Sequence, residues 1–172
     1  MTRRTNARIA GVTFVVYIVA GIASLALSGR THATDVLSIF TSISALVLGV
    51  TLYAITRVQD PDIAMLGLVC RVVEAIPGHA GPIFFAVGST AFCWLLLRGR
   101  MIPVALAWLG VAASVLLVAI LPLQRAGLFA SAVSWFSGIT WFMWLPMLVF
   151  ELSLAVWFIV KGVATPAKVQ PV

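Results

Sequence analysis

Long apolar runs alternate with short polar segments along the whole chain. Four of the runs contain 19 to 22 residues, close to the roughly 20 that a helix needs to cross the hydrocarbon core of a bilayer. The pattern predicts an all-α, polytopic bundle of about six transmembrane helices forming a single domain, residues 1–172, with a short third span. The six runs are residues 9–27, 36–56, 63–76, 83–97, 103–121 and 139–160.

The first and third runs each admit two interpretations. Residues 9–27 follow a basic N-terminus and fit either a signal peptide or a first transmembrane helix, and their length exceeds the roughly 7–15 residues of a signal h-region, which favours the helix. Residues 63–76 begin after Pro61, a typical helix start, and are interrupted by Pro77 and Gly78. The third run is therefore either a short span or a re-entrant segment.

Two further segments are expected to lie outside the membrane-spanning helices. Residues 126–137 are less apolar than their neighbours, and together with the last run they are too long for one span. We predict an interfacial loop or helix there. Residues 163–172 contain Pro166 and Pro171 and are predicted to form a disordered tail. His79, in the turn after the third run, is expected to be a solvated loop residue.

Composition narrows the class of protein. Hydrophobic residues make up 62% of the chain and charged residues 9%, whereas soluble domains are about half apolar and about a quarter charged. The excess of 11 basic over 5 acidic residues would suggest nucleic-acid binding in a soluble chain, but here most cations flank apolar runs. We predict an integral membrane protein whose partner is the lipid bilayer, and no nucleic-acid partner.

The distribution of basic residues predicts the orientation. Six crossings place only Arg30 and Arg125 on one side of the membrane, and a bias of this size marks the opposite side as cytoplasmic. Both termini are therefore predicted to be cytoplasmic. Without a third crossing, Arg98 and Arg100 would move to the other side of the membrane. The bias would then fall from eight cations against two to six against four, so the charge distribution favours the crossing. The eight cations predicted to be cytoplasmic are Arg3, Arg4, Arg8, Arg57, Arg98, Arg100, Lys161 and Lys168.

Three ionisable residues lie inside apolar runs. Counted from Asp62 and Val160, Arg71 and Glu151 are each nine residues in, about 13 Å at the helical rise, so they should lie level. An arginine left alone near the bilayer centre costs roughly 3 kcal/mol or more. Glu74, at the i,i+3 position, can share the charge of Arg71. We therefore predict a buried polar cluster of Arg71, Glu74 and Glu151.

No motif assigns a reaction. The chain lacks HExxH, GxSxG, CxxC and a phosphate-binding glycine loop, and Cys70 and Cys93 have no metal-ligand spacing. We predict no enzymatic activity, no metal site and no cofactor. Our leading hypothesis is a structural or interaction component, in which the buried cluster fixes how the third and sixth helices pack. A membrane-protein partner or a homo-oligomer is left open.

The alternative hypothesis is a proton- or cation-coupled carrier, or a protein that binds a lipid or a small amphipathic ligand, through Glu151. Pro146 favours it, because a proline removes a helix hydrogen bond and is predicted to kink the last helix five residues before Glu151. A water-accessible cavity that reaches Glu151 would support the alternative. A dry, packed cluster would support the structural role.

Short motifs near the start, middle and end of the chain are similar to those of a bacterial family. They are RIAGV at residues 8–12, RVVEA at 71–75, ELSLAVW at 151–157 and VKG at 160–162. Their order and spacing resemble domain of unknown function 4386 (DUF4386) over most of the chain. The resemblance implies a multipass protein of the bacterial inner (cytoplasmic) membrane, without an assigned catalytic or binding residue. Family members tend to continue a longer span where this chain turns at Pro77.

Overall fold

The computed structural model describes residues 2–27, 31–76, 80–127 and 138–165, and these residues form six α-helices without a strand. The predicted all-α fold class is therefore confirmed. Every helix except the third is long and apolar enough to span a membrane, while the third has 15 residues. The helices are α1 (Arg3–Ala26), α2 (Thr31–Thr56), α3 (Pro61–Ala75), α4 (Gly81–Arg98), α5 (Val104–Arg125) and α6 (Gly138–Val160).

The start of α3 shows how local sequence sets a helix boundary. The Asp60 side chain accepts hydrogen bonds from the backbone N–H groups of Asp62 and Ile63, at 3.2 and 3.1 Å. These bonds satisfy two of the donors that a helix N-terminus leaves without a partner. Pro61 occupies the first turn, where its missing N–H costs nothing. The helix therefore begins at the proline, as its sequence predicts.

The helices form a ring in chain order. Each helix packs against the next one along the chain, and α1 packs against α6 to close the ring. The α1–α6 approach is close at Gly11, where a Cβ atom would lie 2.8 Å from the carbonyl oxygen of Ala155. Side chains that point inward from all six helices therefore share one interior, and the polar site described below lies there.

Several connections meet at one end of the bundle. The Arg98 Nη1 atom lies 3.6 Å from Asp60 Oδ2, which brings the α4–α5 connection to the α2–α3 connection. The Ala164 N–H donates a hydrogen bond of 3.0 Å to the Met101 carbonyl, which brings the chain after α6 to the same place. We call this end, formed by residues 3–8, 57–61, 98–103 and 161–164, the basic end.

The basic end contains the start of α1 as well. A Cβ atom on Gly162 would lie 3.6 Å from Arg4 Cγ, so the N-terminal and C-terminal parts of the bundle are neighbours. The first residues of the predicted tail, 163–165, leave α6 alongside Met101. Residues 166–172 lie outside the described part of the chain, as do residues 128–137 of the predicted interfacial segment and His79.

Candidate functional site

Arg71 lies in the interior of the ring, and only 1% of its surface is exposed. Its Nη1 atom donates a hydrogen bond to Glu74 Oε2 at 3.0 Å, and its Nη2 atom donates one to Ser89 Oγ at 3.1 Å. The guanidinium carbon lies 4.7 Å from the centre of the Phe85 ring, a distance typical of a cation–π interaction. Arg71 on α3 therefore binds two side chains of α4.

The neighbouring helix α2 leaves space for this arginine. A Cβ atom on Gly49 would lie 2.9 Å from Arg71 Cβ and 3.1 Å from Leu68 Cδ1, both closer than carbon atoms ordinarily approach. The absence of a side chain at Gly49 lets the two helix backbones come together beside Arg71. The sequence of α2 therefore contributes to the burial of the cation without supplying a ligand.

Tyr17 joins α1 to the same cluster. Its hydroxyl donates a hydrogen bond of 2.7 Å to Glu74 Oε1, so both oxygens of Glu74 are engaged. The Tyr17 and Phe85 rings are parallel, with centroids 6.3 Å apart, and the Phe85 ring lies 5.8 Å from that of Trp144 on α6. Hydrogen bonds and ring contacts thus connect α1, α3, α4 and α6 through one group of side chains.

Sequence analysis did not identify Tyr17, Ser89 or Phe85 as members of the cluster. Once the helix starts are known from the structure, a depth argument places Tyr17 level with Glu74. It lies 14 residues after Arg3, and Glu74 lies 13 residues after Pro61, so both are about 20 Å from the basic end at the helical rise. Phe85 carries no such signal, because a phenylalanine is common throughout the apolar runs.

Glu151 occupies a different position from Glu74. Its side chain is buried, with the residue 5% exposed, but no ion pair within 4.0 Å joins it to Arg71. Within the described residues, Glu151 Oε1 and Arg71 Nε are both buried and have no hydrogen-bonding partner. Both residues, together with Ser89, line a cavity of about 10 Å³. A cavity of this size holds about one water molecule.

The structure therefore brings Arg71 and Glu74 into direct contact and places Glu151 at the same small cavity. Pro146 lies inside α6, which runs from Gly138 to Val160, and its predicted kink stays a prediction. Within the described parts of the chain, no group of three His, Cys, Asp or Glu residues could hold a metal ion. With both carboxylates ionised, one cation faces two anions, so the site carries one negative charge in excess.

This arrangement can act in two ways. The guanidinium of Arg71 is held by a carboxylate, a hydroxyl and an aromatic ring, which is the environment of a fixed structural cation. Glu151 has a buried oxygen without a protein partner, so it is the group at which a water molecule or a proton would interact. The Arg71 guanidinium is suited to stabilising helix packing, and the Glu151 oxygen is suited to binding a water molecule or a proton.

Comparison with known proteins supports the predicted family. Residues 78–162 match the family model described as domain of unknown function (DUF4386), a region that includes α4, α5, α6 and Glu151. The motifs at residues 8–12 and 71–75 lie before the matched region, while those at 151–157 and 160–162 lie within it. No curated protein and no solved structure matches the chain. This match confirms the predicted DUF4386 family assignment over residues 78–162.

Proposed function

We propose that this chain is a multipass protein of the bacterial inner membrane, with its basic end and both termini in the cytoplasm. The described residues place seven cations at the basic end, which is the charge distribution expected of a cytoplasmic side. Trp94 and Trp157 lie about one turn inside that end, at the depth of an interfacial aromatic belt. The far end contains the C-terminus of α5, with Arg125.

The outward-facing surface is consistent with this placement. The described helices expose many large apolar side chains, and α1 and α2 present rows of them at helical spacing. A surface of this kind suits contact with lipid chains. It is equally compatible with contact to a membrane-protein partner or to a second copy of the chain. The most exposed examples on these two helices include Val12, Val19, Ile22, Ile39, Phe40, Ile43 and Val50.

Within that membrane, we propose that the protein acts as a structural or interaction component and is not an enzyme. The observation that carries this proposal is the packing around Arg71, whose guanidinium binds Glu74 and Ser89 and lies over Phe85. A transport site would need a polar, water-filled route for its substrate. The cavity beside Arg71 has room for about one water molecule and is lined mainly by apolar side chains.

A second function is favoured by one observation. Glu151 has a buried oxygen without a protein partner, and it lines the same cavity as Arg71. Buried carboxylates inside membrane helices serve as proton or cation sites in carriers. A proton- or cation-coupled carrier, or a membrane protein that binds a lipid or small amphipathic ligand through Glu151, is therefore the alternative.

Proton flux in proteoliposomes separates the two functions. If the structural proposal is correct, wild-type protein, Glu151→Gln and protein-free liposomes should dissipate an imposed pH gradient at the same rate. Glutamine retains the size of the side chain but cannot ionise, so it removes any proton transfer at this position. A flux that exceeds the protein-free rate and disappears in Glu151→Gln would replace the structural proposal with the carrier.

Cysteine labelling in whole cells tests the orientation. We expect a membrane-impermeant maleimide to label Ala126→Cys from outside, and Val58→Cys, at a position 60% exposed, only after permeabilisation. Ala80→Cys, in the turn after α3, should react from outside if α3 crosses the membrane. Cys70 and Cys93 are buried, so the unmodified protein provides the blank. Labelling of position 58 from outside would show that the orientation is opposite to the proposed one.

A further inference from the structure

A recess of about 370 Å³ opens at the basic end, between the α4–α5 connection and the end of α6. Arg100 lines one wall, and Lys161 and Trp157 line the other. The rest of the lining is apolar or backbone, and it contains no acidic side chain. A cavity of this volume falls within the range of small-ligand sites, roughly 300–1,000 Å³. The recess therefore combines two cations with an apolar floor.

One backbone hydrogen bond joins the two walls. The Ala164 N–H donates to the Met101 carbonyl at 3.0 Å, which holds the chain after α6 against the α4–α5 connection. Arg100 has a φ of 47°, an uncommon conformation for a residue other than glycine. Hydrogen bonds from the N–H groups of Arg100 and Met101 to the carbonyls of Leu97 and Leu96, both 3.0 Å, fix the turn. The position of Arg100 beside the recess is thus set by the backbone.

The cations of the recess differ from Arg57 and Arg98 at the same end. Arg98 pairs with Asp60, and the guanidinium carbon of Arg57 lies 6.0 Å from the centre of the Tyr53 ring. Within the part of the chain that the structure describes, neither Arg100 nor Lys161 has an ion pair or a side-chain hydrogen bond. Like charges that share a recess repel each other, so an anion between them would be stabilised by both.

We propose that this recess binds the phosphate headgroup of an anionic phospholipid. Arg100 and Lys161 supply charge-assisted hydrogen bonds to the phosphate, and the apolar floor accommodates the glycerol and the first carbons of the acyl chains. Basic pockets between membrane helices on the cytoplasmic side recognise anionic headgroups in this way. Trp157 is an interfacial residue type at the same level. The inference rests on the proposed membrane placement, which puts the basic end among the headgroups.

The test compares two double variants that remove equal charge from the basic end. Native mass spectrometry of detergent-solubilised protein, titrated with phosphatidylglycerol, measures the affinity of each. Arg100→Gln with Lys161→Gln should lose about fivefold in affinity for each cation removed, since each basic residue near anionic headgroups contributes about that factor. Arg8→Gln with Arg57→Gln, two residues that do not line the recess, should retain the wild-type affinity. Phosphatidylcholine should bind weakly to all three proteins.

Three results would overturn the proposal. Equal loss in the two double variants would mean that diffuse charge attracts the lipid. If phosphatidylcholine binds as tightly as phosphatidylglycerol, headgroup charge plays no role in binding. Inorganic phosphate that displaces phosphatidylglycerol at comparable concentration would identify a free-phosphate site.

If the recess double variant unfolds, Lys161→Gln alone, at an exposed position, provides the measurement. Because detergent offers lipid to both ends, a reversed orientation in cysteine labelling would leave this result unaffected.

Discussion

Replacing Arg71 with alanine is expected to lower the free energy of unfolding by about 3–5 kcal/mol, the cost of removing one partner of a buried ion pair. The substitution removes the hydrogen bonds to Glu74 and Ser89 and the contact with Phe85. It also leaves the Glu74 side chain, which is 7% exposed, and the buried Glu151 without the cation that they share. Thermal unfolding in detergent, with the folded yield from size-exclusion chromatography, measures the loss.

Two further variants show whether burial and geometry are the cause. Arg57→Ala removes an exposed arginine that lies near an aromatic ring, so it should cost no more than about 1 kcal/mol. Arg71→Lys keeps the charge but lacks the planar, forked donors that reach Glu74 and Ser89 together, so it should be only partly tolerated. If Arg57→Ala destabilises the protein as much as Arg71→Ala, the buried cluster does not determine stability.

The sequence was sufficient to predict the fold, because each apolar run became a helix. The run at residues 63–76 became α3, with the start that Pro61 indicated. The helices extend beyond the runs where polar residues can still form helix. Thr2 accepts a hydrogen bond from the Thr5 N–H, so α1 begins at Arg3, six residues before its apolar run. Hydrophobicity alone could not set that boundary.

The depth of the polar residues was also accessible from the sequence. Arg71 and Glu151 were expected to lie level, and they line one cavity. Whether the two side chains touch could not be predicted, because a residue count along the axis does not determine how each helix is rotated about that axis. The i,i+3 spacing places Glu74 beside Arg71 within one helix, so that pair needed no tertiary information. Glu151 approaches through helix packing alone.

The recess at the basic end illustrates a second limit. Charge counting placed Arg100 and Lys161 on the same side of the membrane, yet 61 residues separate them in the chain. Their shared recess depends on the hydrogen bond between Ala164 and Met101, which joins a segment predicted to be a disordered tail to the α4–α5 connection. No periodicity or composition in either segment indicates that contact.

A double-mutant cycle between positions 71 and 151 is expected to give a positive coupling free energy of about 1 kcal/mol. Residues in one network couple by roughly 0.5–3 kcal/mol, and the low part of that range applies because a cavity separates these two side chains. Glu151→Gln and Arg71→Met should each destabilise the protein. The double variant should recover part of the loss, since Glu151→Gln removes one of the two carboxylates that Arg71→Met leaves without a cation.

The cycle has a matched control in Asp62, an exposed carboxylate in the first turn of the same helix as Arg71. Asp62→Asn combined with Arg71→Met should show no coupling, because the two residues are nine positions apart and share no partner. Unfolding free energies measured in the same detergent provide both cycles. Zero coupling at position 151, with every variant folded, would mean that Glu151 does not sense the charge of Arg71. Glu151 would then be a site independent of the structural cluster.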